Sequence, residues 1–272
     1  MSNEAPTGTT AINTSIAHPA RRYDYWLGGK DNFAVDRASG DAIAAAFPEI
    51  LTAVRENRHF LRRAITQLAQ AGVTQYIDLG TGIPTSPNTH EVAQAIQPEA
   101  HVLYVDNDPM VLAHARALLT SAPSGRTSYL DADIRDPGRV LAAAVDTLDC
   151  TEPIAVLAVA VWHFLSEDDD PRAVLRAYLD ALPTGSYLVF SHATLDDQPA
   201  VVNRGLEQLP AEQLGAFHPR SRADVAELLT GLHVIEPGIV PTSEWRRDPT
   251  DDLKPVPLAE AAAWAAVARI AG

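Results

Sequence analysis

Residues 75–91 constrain the fold more tightly than any other part of this 272-residue chain. Thr74 to Leu79 is a β-compatible run bounded by Gly72 and Gly80, which predicts a short buried strand. It runs into Gly80-Thr81-Gly82-Ile83-Pro84-Thr85, where two glycines permit a sharp turn and let the backbone approach a ligand that a Cβ would obstruct. Asn88 and Glu91 then have the spacing of an N-cap and its partner three residues on, so a helix is predicted to start there. Strand, glycine loop and helix N-terminus is how an α/β protein presents backbone donors to a nucleotide-like ligand, with an acid close by.

The flanking chain repeats this alternation. His101 to Asp106 reads as a second strand ending in an acid, and Asp108-Pro109 as the cap and first residue of a helix with Val111, Leu112, Ala115, Leu118 and Leu119 inward. A third strand, Thr127 to Leu130, leads into Asp131-Ala132-Asp133-Ile134. Pro153 to Val161 is nearly all apolar, as a central parallel strand requires, and ends at Trp162-His163-Phe164. Glu167 to Asp170 suits a solvated helix start before Pro171, with Val174, Leu175, Tyr178, Leu179 and Leu182 inward. A fifth strand, Ser186 to Ser191, continues into His192-Ala193-Thr194.

Upstream, Phe33 to Ala71 is helical in pattern, with a break at Pro48 and an apolar face of Leu51, Val54, Leu61, Ile65 and Leu68. Downstream, Leu195 to Pro219 is predicted to be less regular, an insertion near the site. Ser221 to Gly231 reads as a capped helix, Leu232–Glu236 and Trp264–Ile270 as the last strands, and Pro237 to Pro257 as a long exposed connection. Alternating strands and helices imply a doubly wound sheet with its ligand at the carboxyl ends of the strands.

Three observations weigh against a nicotinamide cofactor and an oxidoreductase. The loop has no third glycine, no second mononucleotide half is evident, and acids end three strands: Asp78, Asp106 and Asp133. Such acids suit a ligand with hydroxyls, an amine and a positive charge better than a pyrophosphate. S-adenosylmethionine has a ribose diol, an adenine amine, a sulfonium and no phosphate.

Composition narrows the partners. The formal net charge of −14, without a long basic run, argues against nucleic acid as substrate. A single cysteine, Cys150, excludes an internal disulfide and suits a cytoplasmic setting. The longest apolar run, Ile154 to Leu165, contains His163 and is too short to span a bilayer, so no membrane association is expected. No His/Cys/Asp cluster has ligand spacing, so no metal is expected.

Four stretches carry a closer resemblance: Tyr23-Asp24-Tyr25-x-Leu27-Gly28-Gly29-Lys30-Asp31-Asn32-Phe33, Gly80-Thr81-Gly82-x-Pro84-Thr85-x-Pro87-Asn88-Thr89-His90, Tyr104-Val105-Asp106-Asn107-Asp108-Pro109 and Ser191-His192-Ala193. From about Arg21 to the C-terminus the chain resembles the actinobacterial S-adenosylmethionine-dependent methyltransferase family once catalogued as a domain of unknown function. The resemblance implies an α/β, Rossmann-like class I methyltransferase fold: a mostly parallel seven-stranded sheet, helices on both faces and an N-terminal helical cap. The expected organisation is a flexible arm (1–20), a helical lid (21–72) and a cofactor-binding core (73–272). Trp264 to Arg269, expected at an edge of the sheet, carries alanines where the family's glycines are expected.

The expected cofactor set is Asp78, Gly80, Thr81 and Gly82 around the methionine portion, Asp106 on the ribose hydroxyls with Asn107 beside the adenine, and Asp133 with Ile134 at the adenine edge. Asp78 has two possible roles, ordering the loop or meeting the ligand's amino group. Tyr23, Lys30 and Asn32 are lid residues, and Lys30 or Arg22 could pair with the carboxylate. His163 and His192, just beyond predicted central strands, are the candidates for a general base, needed only if the acceptor must lose a proton. The expected activity is methylation of O or N on a small molecule. The alternatives are a nicotinamide oxidoreductase and a non-catalytic S-adenosylmethionine-binding protein.

Overall fold

A computed structural model describes residues 12–118, 123–247 and 255–270. Its centre is a twisted sheet in which β1 (Gln75–Leu79) pairs in parallel with β2 (His101–Asp106) on one side and β4 (Ala155–Val159) on the other. β3 (Arg126–Asp131) extends the sheet beyond β2, and β5 (Tyr187–Ala193) lies beyond β4, all parallel. β8 (Ala263–Arg269) runs antiparallel to β5 over seven register pairs. β6 (His233–Val234) and β7 (Val240–Pro241) both pair antiparallel with β8, giving the order β3-β2-β1-β4-β5-β8-β6 with β7 beside β8. The sheet therefore has eight strands among the described residues where seven were expected; the extra one is the two-residue β7.

Alternation along the strands splits the core into two layers. Ile77, Leu79, Leu103, Val105, Val156 and Ala158 face one side, while Tyr76, Val102, Tyr104, Ala155 and Leu157 face the other. Both faces are apolar because helices cover both, as in parallel sheets generally. α6 (Pro137–Ala144), α7 (Pro171–Leu179) and α10 (Arg222–Leu228) contribute to the first layer through Val140, Leu175 and Val225. α3 (Ile50–Gln70) and α4 (Thr89–Gln94) close the second through Phe60, Ile65, Leu68 and Ala93.

The N-terminal helices α1 (Pro19–Trp26) and α2 (Ala34–Ala46) sit at the carboxyl end of the strands with the start of α3. Pro48 does separate α2 from α3. Helix α1 begins at Pro19 with His18 as its cap, so position 21 falls inside it; residues 1–11 of the expected arm lie outside the described residues.

Four expectations are corrected. Leu51 is 39 % exposed: it sits in the first turn of α3, to one flank of the buried stripe of Val54, Leu61, Ile65 and Leu68. Leu195 to Pro219 is more regular than expected: it holds α8 (Ala200–Glu207) and α9 (Ala211–Leu214), whose Val202, Leu206 and Leu214 pack with Ile43 and Phe47 of the α2 segment.

The connection after Pro237 is not simply exposed. It contains β7 and a fully buried Trp245, whose ring meets Phe60 edge-on at 5.5 Å. Arg63 holds it by donating to the Trp245 and Thr242 carbonyls at 2.8 and 2.6 Å. Finally, the alanine-bearing last strand lies between β5 and β6 rather than at the sheet edge, and Ala265, Ala266 and Ala268 are buried there. In the helix after β2, α5 (Pro109–Leu118), Val111 is buried as expected; Leu119 and the side chains of Leu112, Ala115 and Leu118 lie outside the described residues. The short α11 (Leu258–Ala261) leads into β8.

Candidate functional site

At the carboxyl ends of β1, β2 and β4 a cavity of about 520 Å³ opens beneath α1, α2 and the start of α3. Its floor on one side is the glycine loop. Gly80 and Gly82 have φ of +65° and +69°, and the loop folds back so that the Gly80 and Thr81 N–H groups donate to the Val105 carbonyl at 2.8 and 3.1 Å. The Thr81 hydroxyl donates to the Asp78 carbonyl at 2.9 Å. A Cβ on Gly80 would come within 2.3 Å of Val161, whereas one on Gly82 would meet nothing within 4 Å.

The two central acids are placed side by side at the strand tips. Asp78 is buried, accepts from the Thr89 hydroxyl at 2.6 Å, and has its pKa pushed up to about 6, chiefly by burial. Asp106 accepts from the Gly82 N–H at 2.8 Å and the Asp108 N–H at 2.9 Å, and burial raises its pKa too. Each Asp106 oxygen keeps lone-pair capacity for a second donor. Asn107, Ala132 and Ile134 continue the lining.

Asp133 stands apart. Its carboxylate is forked by Arg135, Oδ1 to Nε at 2.9 Å and Oδ2 to Nη2 at 2.5 Å, which holds its pKa low. Arg135, and not Asp133, is among the residues that line the cavity.

The N-terminal candidates divide. Arg22 and Tyr23 line the cavity; Lys30 and Asn32 do not. The Tyr23 hydroxyl donates to the Val54 carbonyl and accepts from Asn57 Nδ2, both at 3.0 Å. Asn57 Oδ1 in turn accepts from the Ser191 hydroxyl at 2.6 Å. Lys30 is exposed, and Asn32 Nδ2 donates to Asp24 at 2.8 Å.

The two histidines also divide. His163 lines the cavity; its Nδ1 accepts from the Ala193 N–H at 3.4 Å, which leaves the proton of the neutral ring on Nε2. Burial, helped by His192, Arg220 and Arg22, keeps that ring neutral, its pKa well below the usual value. His192 is wholly buried and off the lining. Its Nδ1 is 2.9 Å from the Ala193 carbonyl, its Nε2 3.0 Å from Arg220 Nη1, and burial lowers its pKa to about 4. A ring donating at one nitrogen and accepting at the other has no position free for a substrate proton, so the geometry of His192 is that of a support and not of a base.

Among the lining residues not singled out from the sequence, three tie neighbouring elements together through polar contacts. Arg58 donates to the Thr85 and Pro87 carbonyls at 2.7 and 3.0 Å, tying the glycine loop to α3. Asn57 is the second. Both interrupt the apolar stripe of α3 between Val54 and Leu61, a polar pair at core spacing that could have been noticed. The third, His18, has Nδ1 3.0 Å from Asp108 Oδ2, and its backbone N–H donates to Asp36 at 2.9 Å. Arg21 Nε adds longer contacts to Asp108 and Asp36 at 3.4 and 3.6 Å, so α1 is latched to the end of β2.

The chain that carries this glycine loop, strand-tip acids and helical cover matches a family model described as S-adenosyl methyltransferase over residues 5–271. The chain belongs to this family. A Streptomyces avermitilis MA-4680 protein of the DUF574 family is 42 % identical to this methyltransferase, with a TM-score of 0.89 over 96 % of this chain and all of that one. A candidate methyltransferase from Thermobifida fusca YX is 37 % identical, with a TM-score of 0.85 over 95 % of this chain and 96 % of that one. An O-methyltransferase family protein from Burkholderia thailandensis shares the fold at 13 % identity, with a TM-score of 0.53 over 88 % of this chain and 60 % of that one. No curated protein matches.

Membership makes S-adenosylmethionine the methyl donor, and the site suits it. Open space over Gly82 admits a ligand against the backbone, the two buried acids offer acceptor oxygens, and the Gly80, Thr81 and Gly82 N–H groups are already given to Val105 and Asp106 rather than left for a phosphate. Among the described residues no helix is long and apolar enough to cross a membrane, and no group of three His, Cys, Asp or Glu is placed to hold a metal ion.

Proposed function

We propose that this methyltransferase acts on an oxygen or nitrogen of a small molecule held in the apolar half of the cavity. One observation carries the reading. The hollow that reaches Asp78, Gly82 and Asp106 continues without a break to Trp26, Ile43, Phe47, Leu206, Leu214 and Phe217. A covered apolar chamber beside a methyl-donor site suits a compact acceptor. The acidic chain, at a formal −14, makes a nucleic acid a poor partner.

When bound, the donor supplies an electrophilic methyl on a sulfonium that leaves as a neutral thioether. The chain's own work is alignment and exclusion of water. In this reading Asp106 receives the ribose hydroxyls, with Asn107 and Ile134 along the adenine. Asp78, Gly80, Thr81 and Gly82 surround the methionine portion, and Arg58 stiffens that loop. Asp133 acts at the adenine edge only through whatever lone pairs Arg135 leaves open. The three N-terminal helices serve as the lid, with Tyr23 on its inner wall and Lys30 and Asn32 outside the lining. His163 presents Nε2–H to the acceptor as a donor, which positions it without removing its proton.

The test is incubation of the pure protein with methyl-labelled donor and, separately, a metabolite extract, total RNA and a protein extract. Label in the small-molecule fraction is the expected outcome. Label confined to RNA or protein overturns the proposal.

A further inference from the structure

Resting on the small-molecule reading, one wall of the cavity says more about the acceptor, because a buried positive charge sits there with no acid bonded to it. Arg22 is only 4 % exposed. Its Nη1 donates to the Ser39 hydroxyl at 3.1 Å and the Gln213 carbonyl at 2.7 Å, and its Nη2 donates to the Leu214 carbonyl at 3.0 Å. Its Nε is buried with no hydrogen-bond partner. Among the described residues no carboxylate lies within ion-pair distance of this guanidinium. Asp36 is the one acid that acts on it, at longer range, and that carboxylate already accepts from the His18 and Phe33 N–H groups and faces Arg21. Burial lowers the Arg22 pKa to about 10, so the group is still a cation at neutral pH.

The other arginines of the region are accounted for. Arg58 belongs to the loop carbonyls beside Asp78, Arg135 to Asp133, and Arg220 to Glu167. Arg22 instead lies on the side of His163, whose ring it helps keep neutral, and of Phe217, whose ring centre is 5.6 Å from that of His163. A buried guanidinium without a counter-ion is costly, and its planar fork matches a carboxylate.

We infer that the acceptor is a small carboxylate with an apolar body: its charge pairs with Arg22, Nε2–H of His163 donates beside it, and its body lies on Ile43, Phe47, Leu206 and Phe217. One buried cation in a mostly apolar chamber fits a single negative charge; a phosphate dianion would leave one charge unmatched.

The experiment is calorimetric titration of the protein saturated with S-adenosylhomocysteine. The probes are octanoate, phenylbutyrate and indoleacetate, each beside its primary amide. At least one acid should bind about tenfold or more tightly than its amide, the scale of a hydrogen bond to a charged group. That preference should vanish in Arg22→Gln and survive in part in Arg22→Lys. Should Arg22→Gln fail to fold, the acid–amide comparison on the wild type and on Arg22→Lys decides alone.

Equal binding of acids and amides, or no acid bound, overturns the inference. So does an Arg22→Gln protein whose affinity for S-adenosylhomocysteine falls as far as its affinity for the acids, since the guanidinium then serves the cofactor's own carboxylate. Any of these can occur while label still enters small molecules. Label confined to macromolecules sinks the underlying reading instead.

Discussion

Lowering the pH from about 7 to about 5 should weaken binding of S-adenosylhomocysteine about tenfold, and Asp78 is the reason. Its carboxyl is buried at the tip of β1, and its pKa stands at about 6, raised first by burial and further by Asp106. The Thr89 hydroxyl and the Arg58 charge oppose the shift without cancelling it. In the proposed reading the ionised acid pairs with the cofactor's ammonium, so affinity is expected to follow the ionised fraction. With a pKa of about 6 that fraction is roughly nine-tenths at pH 7 and roughly one-tenth at pH 5, a difference of about 1.4 kcal/mol.

The ligand's own ammonium and carboxylate keep their charges across that window. Asp106, also raised by burial, acts in the same direction, and His18, held close to Asp108 and lowered chiefly by burial, is a further titratable neighbour. Asp78→Asn separates these contributions: it should bind weakly at every pH and lose most of the slope. Calorimetry at constant ionic strength gives both curves. A wild-type affinity that changes less than about twofold, or an Asn variant as steep as the wild type, refutes the assignment of the slope to Asp78.

Gly80→Ala should destabilise the protein by about 2–3 kcal/mol in urea unfolding, since its φ of +65° is strained for alanine and its Cβ would press on the stiff Val161 side chain. Gly82→Ala, with open space around the new Cβ, should lose only about 1 kcal/mol of stability but much of the cofactor affinity in titration. Trp245→Ala empties a site beneath Phe60 and should lower stability by about 3–5 kcal/mol, read from the same unfolding curves. His192 has a folded pKa of about 4, below its ordinary 6.5, so the unfolded chain binds the proton first. Stability contributed by the neutral ring is full above about pH 6.5 and falls by about 3 kcal/mol as pH drops to about 4, and His192→Gln should flatten that fall. A kcat/KM profile with a limb near pH 6.5 that disappears in His163→Gln would overturn the neutral-donor role given to His163.

Much of this architecture is local and therefore readable. The β-compatible and apolar runs of β1, β2 and β4 and the Asn88–Glu91 and Ser221–Asp224 capping boxes depend on residues a few positions apart, and all are observed. The glycine loop and the acids ending β1 and β2 were equally visible, because ligand binding at the carboxyl ends of parallel strands fixes which positions face the hollow. Leu195 to Pro219 misled because Pro199 and Pro210 break the helical pattern into pieces of eight and four residues, too short for periodicity to register. Trp245 misled because a proline-rich run reads as exposed unless its partner, Phe60, is known.

What the sequence by itself determined is the β–α alternation, the loop and the acids that admit an adenosyl ligand, since each is a pattern of neighbours. What only the tertiary structure decided is which polar groups remain free inside the fold. Asp133 is occupied by Arg135, His192 by Arg220 and Ala193, and Arg22 reaches carbonyls 191 and 192 positions away yet keeps Nε unbonded. The hydrogen-bonding capacity of a side chain is written in its residue type, but how much of it is already used depends on partners that folding alone brings together.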